Sequence, residues 1–207
     1  MDIIGIINNV CDVIIENKDY LTDLDREIGD GDHGINLARG FSKIKEQIET
    51  FKSLKPNEIL NKIAMVLISN VGGASGALYG SAFLKASSFL KQIDNIVDGN
   101  QIAEIFNQMI EAIKTRGNSQ VGEKTMLDTL VPAQQAFKKA VEENKDIVEC
   151  FKEMDAKAFE GKESTQNIIA TRGRASYLKD RSLGSLDPGS VSSYLIINTI
   201  YKSLSGE

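Results

Sequence analysis

Helical periodicity, and almost nothing else, organises this sequence. Apolar residues recur at steps of three and four, the spacing that lines one face of an α-helix. Ile3, Ile6, Ile7, Val10, Val13 and Ile14 form one stripe, and Ile59, Leu60, Ile63, Val66 and Leu67 another. The cleanest is Ile102, Ile105, Phe106, Met109, Ile110 and Ile113. No β-branched alternation bounded by hairpin turns competes with them. Further helical segments are read at 35–51, from Gly76 to Leu90, and at 124–142, 146–160, 162–171 and 188–204. Pro56 opens one helix, and Asp187-Pro188 pairs a capping residue with proline at a first helical position. Short connectors favour antiparallel neighbours, so about eight or nine helices in an up-and-down bundle or closed helical barrel are expected. The fold class is all-α.

A chain of 207 residues fits one domain spanning 1–207 and buries a core without staples. The longest apolar run, Ile63 to Ile68, is far short of the roughly 20 residues of a membrane span. The first residues show neither a basic region nor a cleavage site, so no signal peptide is read and the cytoplasm is the expected location. Cys11 and Cys150 sit in helical stretches and are expected to be reduced and packed. Net charge is −5, with acids and bases alternating and no Lys/Arg run suited to nucleic acid. A phosphate-bearing ligand would therefore need a local site: a few arginines, backbone N–H groups and a metal.

The densest polar segment supplies such a site. Leu24-Asp25-Arg26-Glu27-Ile28-Gly29-Asp30-Gly31-Asp32-His33-Gly34 is expected to be a loop leading into the helix at 35–51. At about 5 Å and an effective dielectric near 20, each pair of converging carboxylates repels by on the order of 3 kcal/mol. A divalent cation removes that cost, and all-oxygen ligands favour Mg²⁺, Ca²⁺ or Mn²⁺ over zinc. An EF-hand register fails: counted from Asp23 its glycine position is Ile28, and counted from Asp30 its fifth position is Gly34. Carboxylates with no completing cage suit Mg²⁺ finished by phosphate oxygens and water. The plainer alternative is a solvated turn whose aspartates cap the next helix. His33, the only histidine, reads in this setting as a site residue that donates to a phosphate or orients a carboxylate.

Two other segments point the same way. Val71-Gly72-Gly73-Ala74-Ser75-Gly76 precedes a helix, where free N–H groups make an anion site, or small residues allow close packing. Arg172, Arg174 and Arg181 lie in a stretch over 172–190 read as helix-free, and arginines suit bidentate phosphate contact. Gly117 to Thr125 nearly spells a phosphate-binding P-loop, but Glu123 stands where the pattern allows nothing and a helix precedes it, so that reading is rejected.

Taken in order, the acidic segment, Gly72-Gly73-Ala74-Ser75-Gly76, Gly122-Glu123-Lys124-Thr125-Met126-Leu127-Asp128, Gly173-Arg174-Ala175-Ser176-Tyr177-Leu178 and Leu186-Asp187-Pro188-Gly189 resemble the nucleotide-binding L subunit family of bacterial dihydroxyacetone kinases. The resemblance implies an eight-helix antiparallel barrel with the nucleotide at one end. It implies that Asp25, Asp30 and Asp32 hold two Mg²⁺. It also implies that His33, Gly34, Ile35, Asn36, Ala74, Ser75, Gly117, Met126, Arg174, Asp187, Pro188 and Gly189 approach ADP or ATP. The implied partners are a K subunit that carries dihydroxyacetone on a histidine and a phosphohistidine M subunit that recharges retained ADP. Nothing here resembles the K subunit, so the chain is not expected to phosphorylate dihydroxyacetone alone. An ATP-using variant and a regulatory nucleotide-binding module of the same fold are the alternatives. Two departures stand out: Lys179 where members of the family usually carry glycine, and Ser185 where they usually carry histidine or a similar residue.

Overall fold

Local capping sets where several helices begin. In the computed structural model, which describes residues 2–95 and 97–206, Asp2 accepts the Gly5 N–H at 2.9 Å and opens α1 (Ile3–Glu16). α2 (Lys18–Ile28), α3 (His33–Lys45) and the single turn α4 (Ile48–Phe51) follow. Pro56 supplies the pre-set φ at the first position of α5 (Pro56–Asn70). Only Val71 and Gly72 separate it from α6 (Gly73–Gln92). Asp98 and Gln101 exchange side chain–backbone bonds at the head of α7 (Gly99–Gly117), and Asn118 closes it at φ 45°. α8 (Leu127–Glu142), α9 (Ile147–Ser164) and α10 (Pro188–Ser205) complete the set. Two 3-10 segments, Thr165–Asn167 and Arg174–Ser182, lie between the last two.

The packing closes on itself. Neighbouring pairs run from α1 to α3, α5, α6, α7, α8, α9 and α10, and α10 returns to α1. α2 lies against α3 and α10. One apolar cluster, including Ile14, Leu21, Leu37, Phe41, Phe51, Leu67, Leu127 and Val191, runs from α1, α3 and α5 across to α8 and α10. A second is built on Phe137, Phe151 and Met154, with Phe137 and Phe151 meeting edge-on at 5.0 Å. Truncating either ring would cost about 3–5 kcal/mol. No described helix is long and apolar enough to cross a membrane. Both cysteines are buried and free, and burial pushes the Cys11 thiol up to about 12, well away from reactivity.

Several boundaries differ from the sequence reading, each for a local reason. Ten α-helices are described rather than eight, because α2 and the turn α4 are separate elements. The helix expected over 35–51 breaks after Lys45, where Gln47 Nε2 rather than its backbone N–H bonds the Lys43 carbonyl. Asp25 lies in the last turns of α2, so only the residues between Ile28 and His33 form the loop. α6 begins at Gly73 rather than Gly76, since Gly73 is the residue that turns the chain at φ 64°. α9 runs straight through Gly161 and stops at Ser164, so the segment at 162–171 is not a separate α-helix: it is the end of α9 followed by the 3-10 turn Thr165–Asn167. A Cβ on Gly161 would overlap the Asp128 carbonyl oxygen, so this glycine permits close contact with α8 and does not end a helix. The stretch at 172–190 carries 3-10 structure instead of being helix-free.

Lys179 interrupts that 3-10 segment at φ 51° and ψ −126°, a conformation that side chains with a Cβ rarely adopt. Its carbonyl accepts the Ser182 hydroxyl at 2.7 Å, which holds the backbone in place. Glycine there would relieve the strain and keep that bond. Lys179→Gly should raise stability by roughly 1 kcal/mol, or about 2–4 °C in Tm, in denaturant and thermal unfolding. An unchanged or lower midpoint would show that the conformation costs nothing.

Candidate functional site

Four helices begin around one cavity. Its volume is about 630 Å³, within the roughly 300–1,000 Å³ usual for small-molecule sites. His33 of α3, Gly73 of α6, Met126 before α8 and Pro188 of α10 all line it. Each helix start brings the positive end of its dipole, so the cavity favours anions. α6 has no capping side chain, because its cap position is Gly72. The amides of its first turn, at Gly73, Ala74 and Ser75 in the cavity wall, are left for a ligand.

Against this positive end stand three carboxylates. One ligand oxygen each from Asp25, Asp30 and Asp32 lie within 4.8 Å of one another. Asp25 Oδ2 accepts the N–H groups of Asp32 at 2.8 Å and His33 at 3.2 Å, so it caps α3. Those bonds leave Oδ1 outside the cap, and a Cβ on Gly29 would overlap it. Glycine at 29 thus keeps one Asp25 oxygen clear beside the loop. Asp30 pairs with Arg174 at 3.0 Å. The capping alternative therefore holds for Asp25 Oδ2, while the trio as a whole has the all-oxygen donor set of a hard divalent cation.

Beneath the cavity lies a closed polar layer. His33 Nδ1 meets Ser75 Oγ at 3.1 Å and Nε2 meets Ser192 Oγ at 3.0 Å. Tyr79 OH bonds Ser192 and Ser193 at 3.0 and 3.1 Å. The layer ties α3, α6 and α10 together. Burial drives the His33 pKa down to about 4, against opposing contributions from Asp25 and the Pro188 backbone, so the ring is neutral near pH 7. Both ring nitrogens already have serine partners, and the ring's place is to join these helix starts.

Of the residues singled out in the sequence, Asp25, Asp30, Asp32, His33, Ala74, Ser75, Gly117, Met126, Arg174, Asp187, Pro188 and Gly189 line the cavity. Gly34, Ile35 and Asn36 do not. A Cβ on Gly34 would overlap the Lys18 carbonyl, so Gly34 serves the α2–α3 crossing, and Ile35 is exposed. Asn36 accepts a bond from Arg39, whose Nε holds the Asn70 carbonyl at 2.7 Å, and Asn36 abuts Gly72. The pair fixes the turn into α6 from behind. Lys179 is not in the lining, whereas Leu78, Ile113 and Arg116 are, and no motif singles them out. Ile113 belongs to a helical stripe, and a stripe does not tell core from cavity wall.

Asp187 caps α10 by accepting the Ser190 N–H at 2.6 Å. Desolvation at the cavity wall pushes its carboxyl up to about 7; the Ser190 bonds lower it, the Asp128 charge adds to the rise, and Lys124 opposes it.

The fold and site define an all-helical protein whose anion-favouring cavity faces a carboxylate trio. The chain belongs to the DAK2 domain family, which matches residues 27–202. It is 38% identical to the ADP-binding subunit DhaL of PEP-dependent dihydroxyacetone kinase 1 from Listeria innocua, over 95% of this chain and 93% of that one. Identity to the ADP-binding subunit DhaL of the PTS-dependent dihydroxyacetone kinase of Lactococcus lactis is 42%, over 90% and 88%. The structure superposes on the dihydroxyacetone kinase of C. freundii in complex with AMP-PNP and Mg²⁺ with a TM-score of 0.74 at 22% identity, covering 97% of this chain. It spans 33% of that longer chain, and the likeness is one of fold.

The two shifted groups give opposite pH slopes. Unfolded His33 protonates near 6.5 and folded His33 near 4, so its contribution is intact above 6.5 and is lost as pH falls toward 4. Folded Asp187 protonates near 7 against 3.8 unfolded, so the native state gains stability over almost the same descent. Asp187→Asn keeps a capping side chain but removes that gain. Its unfolding free energy should fall more steeply than the wild type's between pH 7 and pH 4, with His33 contributing on the order of 3 kcal/mol. Parallel curves would contradict the Asp187 shift.

Proposed function

We propose that this chain is the nucleotide-binding L subunit of a dihydroxyacetone kinase. It holds ADP or ATP with Mg²⁺ and presents the phosphoryl group to dihydroxyacetone carried on a separate K subunit. The observation that carries this reading is the carboxylate trio set beside uncapped helix amides in one cavity. Acids alone would repel a phosphate, and amides alone would need no acids. Together they fit a metal–diphosphate pair. The relatives named as ADP-binding DhaL subunits, matched along nearly their whole length, support the same assignment.

Asp25 through Oδ1, Asp30 and Asp32 would hold the metal. Bound Mg²⁺ supplies charge neutralisation at the phosphate oxygens and orients them for in-line transfer. The count of two Mg²⁺ comes from the resemblance to the L subunit family; three carboxylates against one guanidinium leave two negative charges, enough for one such cation, and a diphosphate would bring the charge for a second. The amides of Gly73, Ala74 and Ser75 would donate to phosphate oxygens. Arg174, at 3.0 Å from Asp30, is within a side-chain rotation of the same ligand. Leu78, Ile113, Met126 and Pro188 give the cavity apolar wall for a base. No base or nucleophile is assigned on this chain, since transfer of this kind rests on positioning and charge.

The relatives' names, PEP-dependent and PTS-dependent, support a phosphoprotein donor over free ATP. In this reading ADP stays bound and a phosphohistidine M subunit recharges it.

Asp30→Asn tests the central element. Calorimetric titration of ADP with excess Mg²⁺ should show affinity weakened by roughly 100-fold, the scale expected when one partner of a close charge pair is removed. With EDTA in place of Mg²⁺ the order should reverse, because the variant carries one negative charge fewer against the phosphates. Equal affinities under both conditions would remove the metal from the site. Failure of the wild type, with K and M partners, ADP and Mg²⁺, to phosphorylate dihydroxyacetone from phosphoenolpyruvate would reject the assignment.

A further inference from the structure

A buried ammonium without a carboxylate in contact lies in the cavity wall. Lys124 is 1% exposed and sits at φ 60°, in the left-handed region that residues with a Cβ avoid. Its Nζ donates to the Thr165 carbonyl at 2.6 Å and to the Ser185 carbonyl. An ammonium taken from water and a backbone in a rare conformation are both unfavourable, so the fold keeps them only for what they hold together.

They hold together three segments. Lys124 itself belongs to the loop between α7 and α8, Thr165 follows α9, and Ser185 lies in the connection into α10. The last two are joined to each other: the Asp187 N–H donates to Thr165 Oγ1 at 3.1 Å and the Gly184 N–H to the Gln166 carbonyl at 2.8 Å. Ser190 Oγ closes the circuit by donating to the Thr125 carbonyl at 2.7 Å. Asp128 braces the loop from within, taking the N–H groups of Gly122 and Thr125. Lys124 itself, Thr125, Met126, Asp187, Pro188 and Gly189 line the cavity, and the Lys124 ammonium is turned to the two carbonyls. Lys124 contacts Ser185 through the backbone carbonyl, so the tie does not depend on which side chain stands at that position.

We infer that Lys124 is the positioning residue of this wall. Its ammonium, committed to two protein carbonyls, fixes the Asp187–Gly189 corner opposite Met126, and it is not a phosphate ligand despite its place in a near P-loop sequence. Burial lowers its pKa, with Asp187 and Asp128 opposing, as suits a cation held by neutral carbonyls. The inference deepens the nucleotide reading of the cavity and rests on it for the affinity effect; the mechanical coupling stands without any ligand.

Two variants and two measurements test it. In ligand-free protein, Lys124→Met should speed hydrogen–deuterium exchange at 119–126 and 183–190 while leaving 29–34 and the start of α6 unchanged. In calorimetry with Mg²⁺, the same variant should weaken ADP and AMP by the same factor, roughly tenfold, and Lys124→Arg, which keeps a cationic donor, should recover most of that loss. A larger loss for ADP than for AMP would make Lys124 a phosphate ligand and overturn the inference. Equal losses in the Met and Arg variants would assign the effect to side-chain volume and overturn it as well, as would uniform or absent exchange changes. A wild type that binds neither nucleotide, with the local exchange signature present, would reject the nucleotide reading and leave the anchor in place.

Discussion

Three carboxylates with ligand oxygens within 4.8 Å of one another are the constraint around which the end of this helical ring is organised. Left alone they would repel each other by several kcal/mol. The protein answers only part of that charge. α3 begins directly on Asp25, two of its N–H groups satisfying one carboxylate oxygen. Arg174 reaches Asp30 from the far end of the chain. Gly29 stays small so that the second Asp25 oxygen is not blocked. What remains is a concentrated negative site with open oxygens, set against helix starts that attract anions. In the proposed reading a metal and a phosphate tail together would satisfy both sides.

The rest of the site follows from making four helices start in one place. Each start must be fixed to its neighbours without filling the space between them. The His33, Ser75, Ser192 and Tyr79 hydroxyl and imidazole contacts do this below the cavity, using groups that are neutral near pH 7. Asn36 and Arg39 do it behind the Gly72 turn. Lys124 does it in the wall toward α10. Charge is spent on the open side of the cavity and kept quiet elsewhere.

The helical class was legible because apolar stripes such as Ile102 to Ile113 survive any tertiary context. The convergence of Asp25, Asp30 and Asp32 was legible because aspartates and glycines alternate there more densely than helix capping needs. Boundaries were not: Gly161 reads as a break, yet its lack of a Cβ serves the α8–α9 contact. Nor did the sequence separate direct lining from support. Gly34 and Asn36 stand in the motif with His33, but a helix turns each residue by about 100°, so neighbours in sequence face different partners. Gly34 looks to α2 and Asn36 to the α6 turn. Lys124 shows the opposite case, a motif residue given no role of its own in the sequence, whose importance lies in carbonyls from segments distant in sequence.

In the proposed reading, the aspartate cluster is the place where the chemistry of this chain stands or falls. The most direct measurement is anomalous scattering from crystals grown with Mn²⁺ and ADP. The predicted result is a peak bounded by Asp25 Oδ1, Asp30 and Asp32, touching the diphosphate, with the phosphates against the first turn of α6. A nucleotide seated elsewhere, or no peak among those three carboxylates, would contradict it.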